Sequence, residues 1–395
     1  MKDSGIEWIG EIPEGWEVGQ IGQLYSERRT KVSDKDYPPL SVTMKGILPQ
    51  LSTAAKTDAH DDRKLVCKGD FAINSRSDRR GSCGISEQDG SIFLINTVLQ
   101  PRGEMNPGYY NWLFHTSMFA DEFYKWGHGI VDDLWTTGWS DMKKIGVPVP
   151  SKCEQKQLAE HLNFECSNID TILSKTRSSI EEYKKLKQAV ITQAVTKGVR
   201  GEREMKDSGV EWIGKIPREF DPVQLKFFCK LITDGTHFSP TTVENGWPYI
   251  TAGDVHGIGL DYNSAKRISE EDFQLLVAQG CQPLKGDVLL VKDGATTGRV
   301  GFVDSDTPCV ILSSVAMLRP ADNTDGHYLM YLLASDFLQK QILVSMAGSA
   351  MPRTTLTKLT KYIGLLPPLH EQKEIANHLD AKCAEILSLI HISEP

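Results

Sequence analysis

Residues 74–82 read NSRSDRRGS and place Arg76, Arg79 and Arg80 among small polar neighbours, directly after an apolar run. A guanidinium presents a planar fork of donors that pairs bidentately with a guanine edge or neutralises a phosphate. The alternative for this stretch is a solvated, charged turn. Residues 128–144, HGIVDDLWTTGWSDMKK, bring Trp135, Thr136, Thr137, Trp139 and Ser140. That polar and aromatic set suits groove contacts, and its tryptophans equally suit a core. In the second half, ITDGTHFSP (232–240) sets Asp234, Thr236, His237 and Ser239 in a glycine-containing turn. VKDGATTG (291–298) offers Lys292, Thr296 and Thr297, and GSAMPRTTLTKL (348–359) offers Arg353, Thr354 and Thr355. Loop donors and acceptors, with cations for phosphates, are what nucleic-acid reading requires. For His237 alone, a structural histidine is the alternative.

Bond-making chemistry is not indicated. No GxGxxG follows a strand, and GATTGRVG (294–301) lacks the lysine of a phosphate loop. Neither HExxH nor GxSxG occurs. The Asn-Pro-Pro-aromatic string of adenine methyltransferases is missing too. Asp132 and Asp133 form the weak nuclease alternative. The eight cysteines make no CxxC pair, so no zinc site is indicated and a reduced, cytoplasmic compartment is expected. There is no run of about 18 apolar residues, hence no expected membrane span. The net charge of −8 requires any basic face to be local.

These loops sit in a chain that states its plan twice. Residues 1–13 (MKDSGIEWIGEIP) and 205–217 (MKDSGVEWIGKIP) share eleven of thirteen positions. Each half closes on a similar segment, IGVPVPSKCEQKQLAEHL from Ile145 and IGLLPPLHEQKEIANHL from Ile363. A period near 200 residues is domain-sized. Trp8 and Trp212, with Ile9 and Ile213, are expected to staple each opening segment onto adjacent helices. Strands are predicted at 68–75, 90–101, 286–294 and 307–320, and short helices within 108–126 and 326–343. Between the halves, 154–196 contains no Pro or Gly. Leu162, Cys166, Ile169, Leu173, Thr176, Ile180, Tyr183, Lys187 and Val190 step through it with a seven-residue period. The prediction is a coiled-coil-type helix about 60–65 Å long; the alternative is the core helix of a bundle. The second such helix begins at Glu371 and its match to the first stops at Ile386. The nine-residue tail LSLIHISEP resembles the translation of a transposon-end sequencing adapter, and a natural short C-terminus is the alternative. The expected organisation is a first domain at 1–150, a helix and linker at 151–204, a second domain at 205–368, and a shortened second helix at 369–395.

The two KDSGxEWIGxIP openings and the two P–EQK–A–HL helix starts, flanking diverged α+β regions, resemble the specificity subunit of a type I restriction–modification system. The resemblance spans the chain except its tail. It implies an α+β fold class: two similar α/β target recognition domains separated by long coiled-coil-type helices, the second truncated here. Each domain would read one half of a bipartite sequence in double-stranded DNA. The helices would dock methyltransferase (modification) subunits, with restriction/translocase subunits joining them. Methyl donor, ATP and Mg are implied in those partners only, with no cofactor bound by this chain. ITDGTHFSP and VKDGATTG are similar to recurrent loops of such domains. The truncated second helix should leave the seam from Leu173 to Val190 exposed. The rivals are a fragment of a fused restriction–methylation enzyme, a stand-alone nuclease, and an inert helical-linker protein.

Overall fold

A computed structural model describes residues 1–50, 61–129, 135–346 and 352–393. Asp132 and Asp133 lie outside the described residues, as do 348–351 of the last loop. The chain divides into two units, Met1–Ile172 and Leu173–Pro395.

In the first unit, Phe71–Asn74 forms the second strand of a four-stranded antiparallel sheet. The order is Cys83–Ile85, Phe71–Asn74, Asn96–Pro101, Tyr25–Glu27. Phe71, Ala72 and Ile73 are all buried, so both faces of that strand are covered. The turn before it needs Gly69 at φ 89°. Asp70 then caps the turn by accepting from the Cys67 N–H at 2.9 Å, and its carboxylate pairs with Arg28 at 2.6 Å. Tyr25, Phe71, Phe114 and Phe119 fill the space between this sheet and the helices Pro107–Phe114 and Ser117–Lys125. The Phe71–Phe114 and Phe114–Phe119 ring centroids are 5.0 and 4.5 Å apart.

The second unit repeats the plan. Its five-stranded sheet runs Cys229–Asp234, Val315–Pro320, Val288–Val291, Val300–Phe302, Gly257–Ile258. Asp287 does the work of Asp70: it caps the Leu284 N–H at 2.8 Å and pairs with Arg319 at 2.8 Å. The core here is largely aliphatic, with Val288, Leu290, Leu318, Leu329 and Leu332 packed around Tyr328 and Phe337. Both predicted helical segments are helix pairs. In the first, the Thr116 side chain caps the second helix; in the second, Gly326–Ala334 is followed by Asp336–Ser345. The run 90–101 likewise splits, into Gly90–Phe93 and Asn96–Pro101, because Asn96 hydrogen-bonds back to the Phe93 carbonyl at 2.9 Å.

In each unit the segment after the opening pairs with the closing strand in one register: Gln20 opposite Gly146, and Gln224 opposite Ile363. The staple expectation holds for only one of the tryptophans. Trp8 is buried and packs edge-on against Phe119, whereas Trp212 is 59% exposed and Ile213 alone enters the core. Phe337 stands at the place of Phe119 in the second unit and is buried in its core, while Trp212 stays outside it.

The helix Lys152–Lys197 has 46 residues. Ser151 and Glu154 form a reciprocal capping box at its start, and Gly198 at φ 73° ends it. Along the predicted seam, Ile169 is exposed and Leu173, Ile180, Tyr183 and Val190 are half-buried; none of these is buried. Its last turns do enter a core: Ile191, Ala194 and Val195 join Ile375, Ala376 and Leu379 of the helix Leu369–Ser393. Among the described residues no helix is long and apolar enough to cross a membrane.

Candidate nucleic-acid interface

The strand Phe71–Asn74 delivers the chain into a turn that carries the three arginines. Ser77–Arg79 is a single 3-10 turn. Arg76 pairs with Asp78 at 2.9 Å. Arg79 is more loosely held, 3.7 Å from the same carboxylate and largely exposed. Arg80 reaches Asp121 at 2.7 Å and lies 4.4 Å above the Tyr124 ring, so its direction is set by a helix of the unit's own core.

The second loop comes back to meet the first. Thr136 bridges Arg76 in antiparallel fashion and bridges His128 on its other side. Thr137 donates its N–H to the Ser75 carbonyl at 3.0 Å. Its buried hydroxyl donates to the Phe123 carbonyl at 2.7 Å, which makes Thr137 a framework residue. Trp139 begins the short helix Trp139–Met142 and packs against the aromatic core. Thr136 and Trp139 are half-exposed and Thr137 is buried.

The second unit builds the same crossing, shifted by 217 residues (76 to 293, 136 to 353, 137 to 354). Asp293 bridges Arg353, and the Thr354 N–H donates to the Lys292 carbonyl at 2.9 Å. Thr354 is fully buried and its hydroxyl shares a hydrogen bond with the Tyr362 hydroxyl at 2.6 Å. Thr355 caps the short helix Leu356–Leu359 through the Lys358 N–H. Thr297 donates to the Gly294 and Pro352 carbonyls at 2.7 and 3.2 Å, and Thr296 is half-exposed beside it. Gly294 sits at φ 100°, a conformation that favours glycine.

The turn at 232–240 joins this crossing from the neighbouring sheet edge. Gly235 is required there because a Cβ would collide with the Ile311 carbonyl oxygen. Thr236 is buried, and its hydroxyl accepts from the Phe238 N–H at 2.9 Å. His237 is exposed, 3.8 Å from Asp234, with the exposed Phe238 next to it. Lys292 is 3% exposed and bonds Asp293 at 2.7 Å, with Asp234 at 3.4 Å. Arg353 in turn pairs with Asp293 at 3.0 Å. Behind the turn, the Cys281 thiol is pushed up by burial and then by Asp234.

The structure thus gathers Arg76, Arg79, Arg80 and Thr136 in one unit. In the other it gathers His237, Lys292, Thr296, Thr297 and Arg353. It sets Thr137, Thr236 and Thr354 behind them as scaffold. The carboxylates Asp78, Asp121 and Asp293 were missed in the sequence, since acids repel phosphate and read as turn residues. The only signal was that Asp78 and Asp293 directly adjoin a predicted cation.

Residues 217–391 match the Type I restriction modification DNA specificity domain family. The chain is similar to the type I restriction enzyme MjaVIII specificity subunit of Methanocaldococcus jannaschii. Identity is 25% over 392 residues, covering 93% of this chain and 86% of that protein. The putative type I restriction enzyme MjaX specificity subunit of the same organism is 23% identical over 399 residues, or 94% and 88% of the two chains. A chain from a type I R-M system, solved in work on complex assembly and conformational transition, superposes with a TM-score of 0.72 at 14% identity, over 97% of this chain and 94% of that one. The HsdS subunit from Thermoanaerobacter tengcongensis gives 0.53 at 17% identity, over 98% and 93%. These structural likenesses speak to the fold, and the sequence matches to the kind of protein. Over residues 217–391 the chain matches the type I restriction–modification specificity domain, and along most of its length it is similar to type I specificity subunits.

Proposed function

We propose that the two crossings are paired readers of double-stranded DNA, each taking one half of a bipartite target. The chain itself performs no bond chemistry. It brings the target to methyltransferase and restriction/translocase subunits, which hold the methyl donor, ATP and Mg. The observation that carries this reading is the duplicated bridge: Arg76 with Thr136, and Asp293 with Arg353. In both units it fixes a guanidinium at the end of a buried strand. A rigid strand end holds a base-reading donor more accurately than a free loop does. Flanking threonines add donors, and the exposed Arg79 adds a charge for phosphate, while the buried Lys292 stands behind them. Docking of partner subunits on the helix Lys152–Lys197 is supported by the exposure of Phe164, Ile169 and Ile172 along it.

The test is selection from a randomised duplex library by the full chain assembled with its methyltransferase partner. Two short preferred blocks separated by an unspecified gap are expected. Enrichment of one continuous block, or of none, overturns the proposal. Methyl transfer to DNA by the chain alone, given the methyl donor, would establish the enzyme reading in its place.

A further inference from the structure

The two bridges are alike in backbone and opposite in charge placement. In the first unit the strand is followed by Ser75 and Arg76, facing Thr136. In the second it is followed by Lys292 and Asp293, facing Arg353. The guanidinium has moved to the other side of the crossing, and an acid–base chain stands behind it. Lys292 is buried, so its ammonium requires compensating charge. Asp293 Oδ2 supplies it at 2.7 Å, and Asp234 adds a second carboxylate at 3.4 Å. This locks the Asp293 rotamer. Its other oxygen, Oδ1, forms an ion pair with Arg353 Nε at 3.0 Å, a charge contact rather than an aligned hydrogen bond. The arginine is engaged along one edge while its side chain stays 61% exposed.

Two carboxylates beside a cation make a poor phosphate site, because they repel the anion that the cation would attract. They make a good mount for a directional donor, since base readout depends on the angle of the fork and phosphate neutralisation does not. Arg79 of the first unit is the contrast: exposed, and only 3.7 Å from a half-exposed Asp78. We propose that Asp293 is a positioning residue that aims Arg353 at a base edge, with Lys292 and Asp234 as its support. One base pair of the half-site read by the second unit is then set by this chain of charges. The inference rests on the DNA-reading function proposed above.

The experiment uses the full chain assembled with its methyltransferase partner, a randomised duplex library, and a salt titration on the selected DNA. Four proteins are compared: wild type, Asp293→Asn, Arg353→Lys and Arg353→Ala. If wild type enriches no sequence, DNA reading itself fails. If it does, Asp293→Asn and Arg353→Lys are both expected to lose about tenfold or more of the discrimination at one and the same base pair. The salt slope should stay as in wild type, since the cation is retained. Arg353→Lys keeps the charge at an exposed position and loses the fork, so it decides the matter even where Asp293→Asn impairs folding. A wild-type base preference in Arg353→Lys overturns the proposal. So does uniform weakening across sequences with the slope reduced by about one in Arg353→Ala.

Discussion

Gln155 and Gln372 make the same pair of hydrogen bonds in the two units. Each accepts from the backbone N–H of the residue that caps the first helix of its unit's helix pair, Asn106 at 3.0 Å and Asp325 at 2.8 Å. Each donates to the carbonyl of a proline five residues before it, Pro150 at 2.9 Å and Pro367 at 2.8 Å. Both side chains are buried. The glutamine of the repeated EQK is therefore a clasp between the start of a long helix and the domain it leaves. Gln372 also donates to the Asn323 carbonyl at 2.9 Å.

Truncating that clasp leaves buried backbone groups without partners, at about 1–3 kcal/mol for the loss. Gln372→Ala is expected to lower the urea midpoint of the full chain by a matching amount. The base preference should stay unchanged, because the partners of Gln372 are Asp325, Asn323 and Pro367 and none belongs to the crossing. An unchanged midpoint would mean that the amide is dispensable.

The buried threonines separate scaffold from reader. Thr137→Val removes one internal hydroxyl bond and Thr354→Val removes two, to Tyr362 and Ser345, and each bond lost should cost about 1 kcal/mol. Neither should change which bases are selected. A shift in base preference from either variant, at full stability, would move that threonine from the framework to the reading surface.

Arg79 and Arg80 should behave differently although they are neighbours. Arg79→Ala is expected to weaken binding to all sequences alike and reduce the salt slope by about one, as a lost phosphate contact does. Arg80 stacks on Tyr124 and pairs with Asp121. Its removal should relax preference at a single position, at about 1–3 kcal/mol. Variants that match wild type in affinity, slope and preference would reduce this loop to a solvated turn.

The helix Lys152–Lys197 offers a ruler test. Four inserted residues lengthen a helix by about 6 Å, and one base pair rises about 3.4 Å. An insertion in its exposed middle, near Ile172, should lengthen the preferred gap by about one or two base pairs and leave both half-sites as they were. Selection from a library with variable gaps measures this. Altered half-sites or an unaltered gap would contradict it.

The sequence by itself determined whatever depends on local or repeated pattern. Duplication was legible because 1–13 and 205–217 share their residues and the structure folds both as a small hairpin. The long helix was legible because 154–196 lacks breakers, and periodicity is a property of neighbours in the chain. The arginine and threonine loops were legible as composition. What each side chain does there was decided by tertiary structure. Thr136 and Thr137 are adjacent, yet one is half-exposed at the bridge and the other buried under Phe123. Trp8 and Trp212 occupy equivalent places in segments that share eleven of thirteen positions, yet only Trp8 packs against Phe119. Asp293 and Arg353 are sixty residues apart. Only the return of the chain across the end of Val288–Val291 turns a turn residue into the ion-pair partner of that arginine. Burial and pairing depend on what the fold brings from a distance, and no spacing along the chain encodes that.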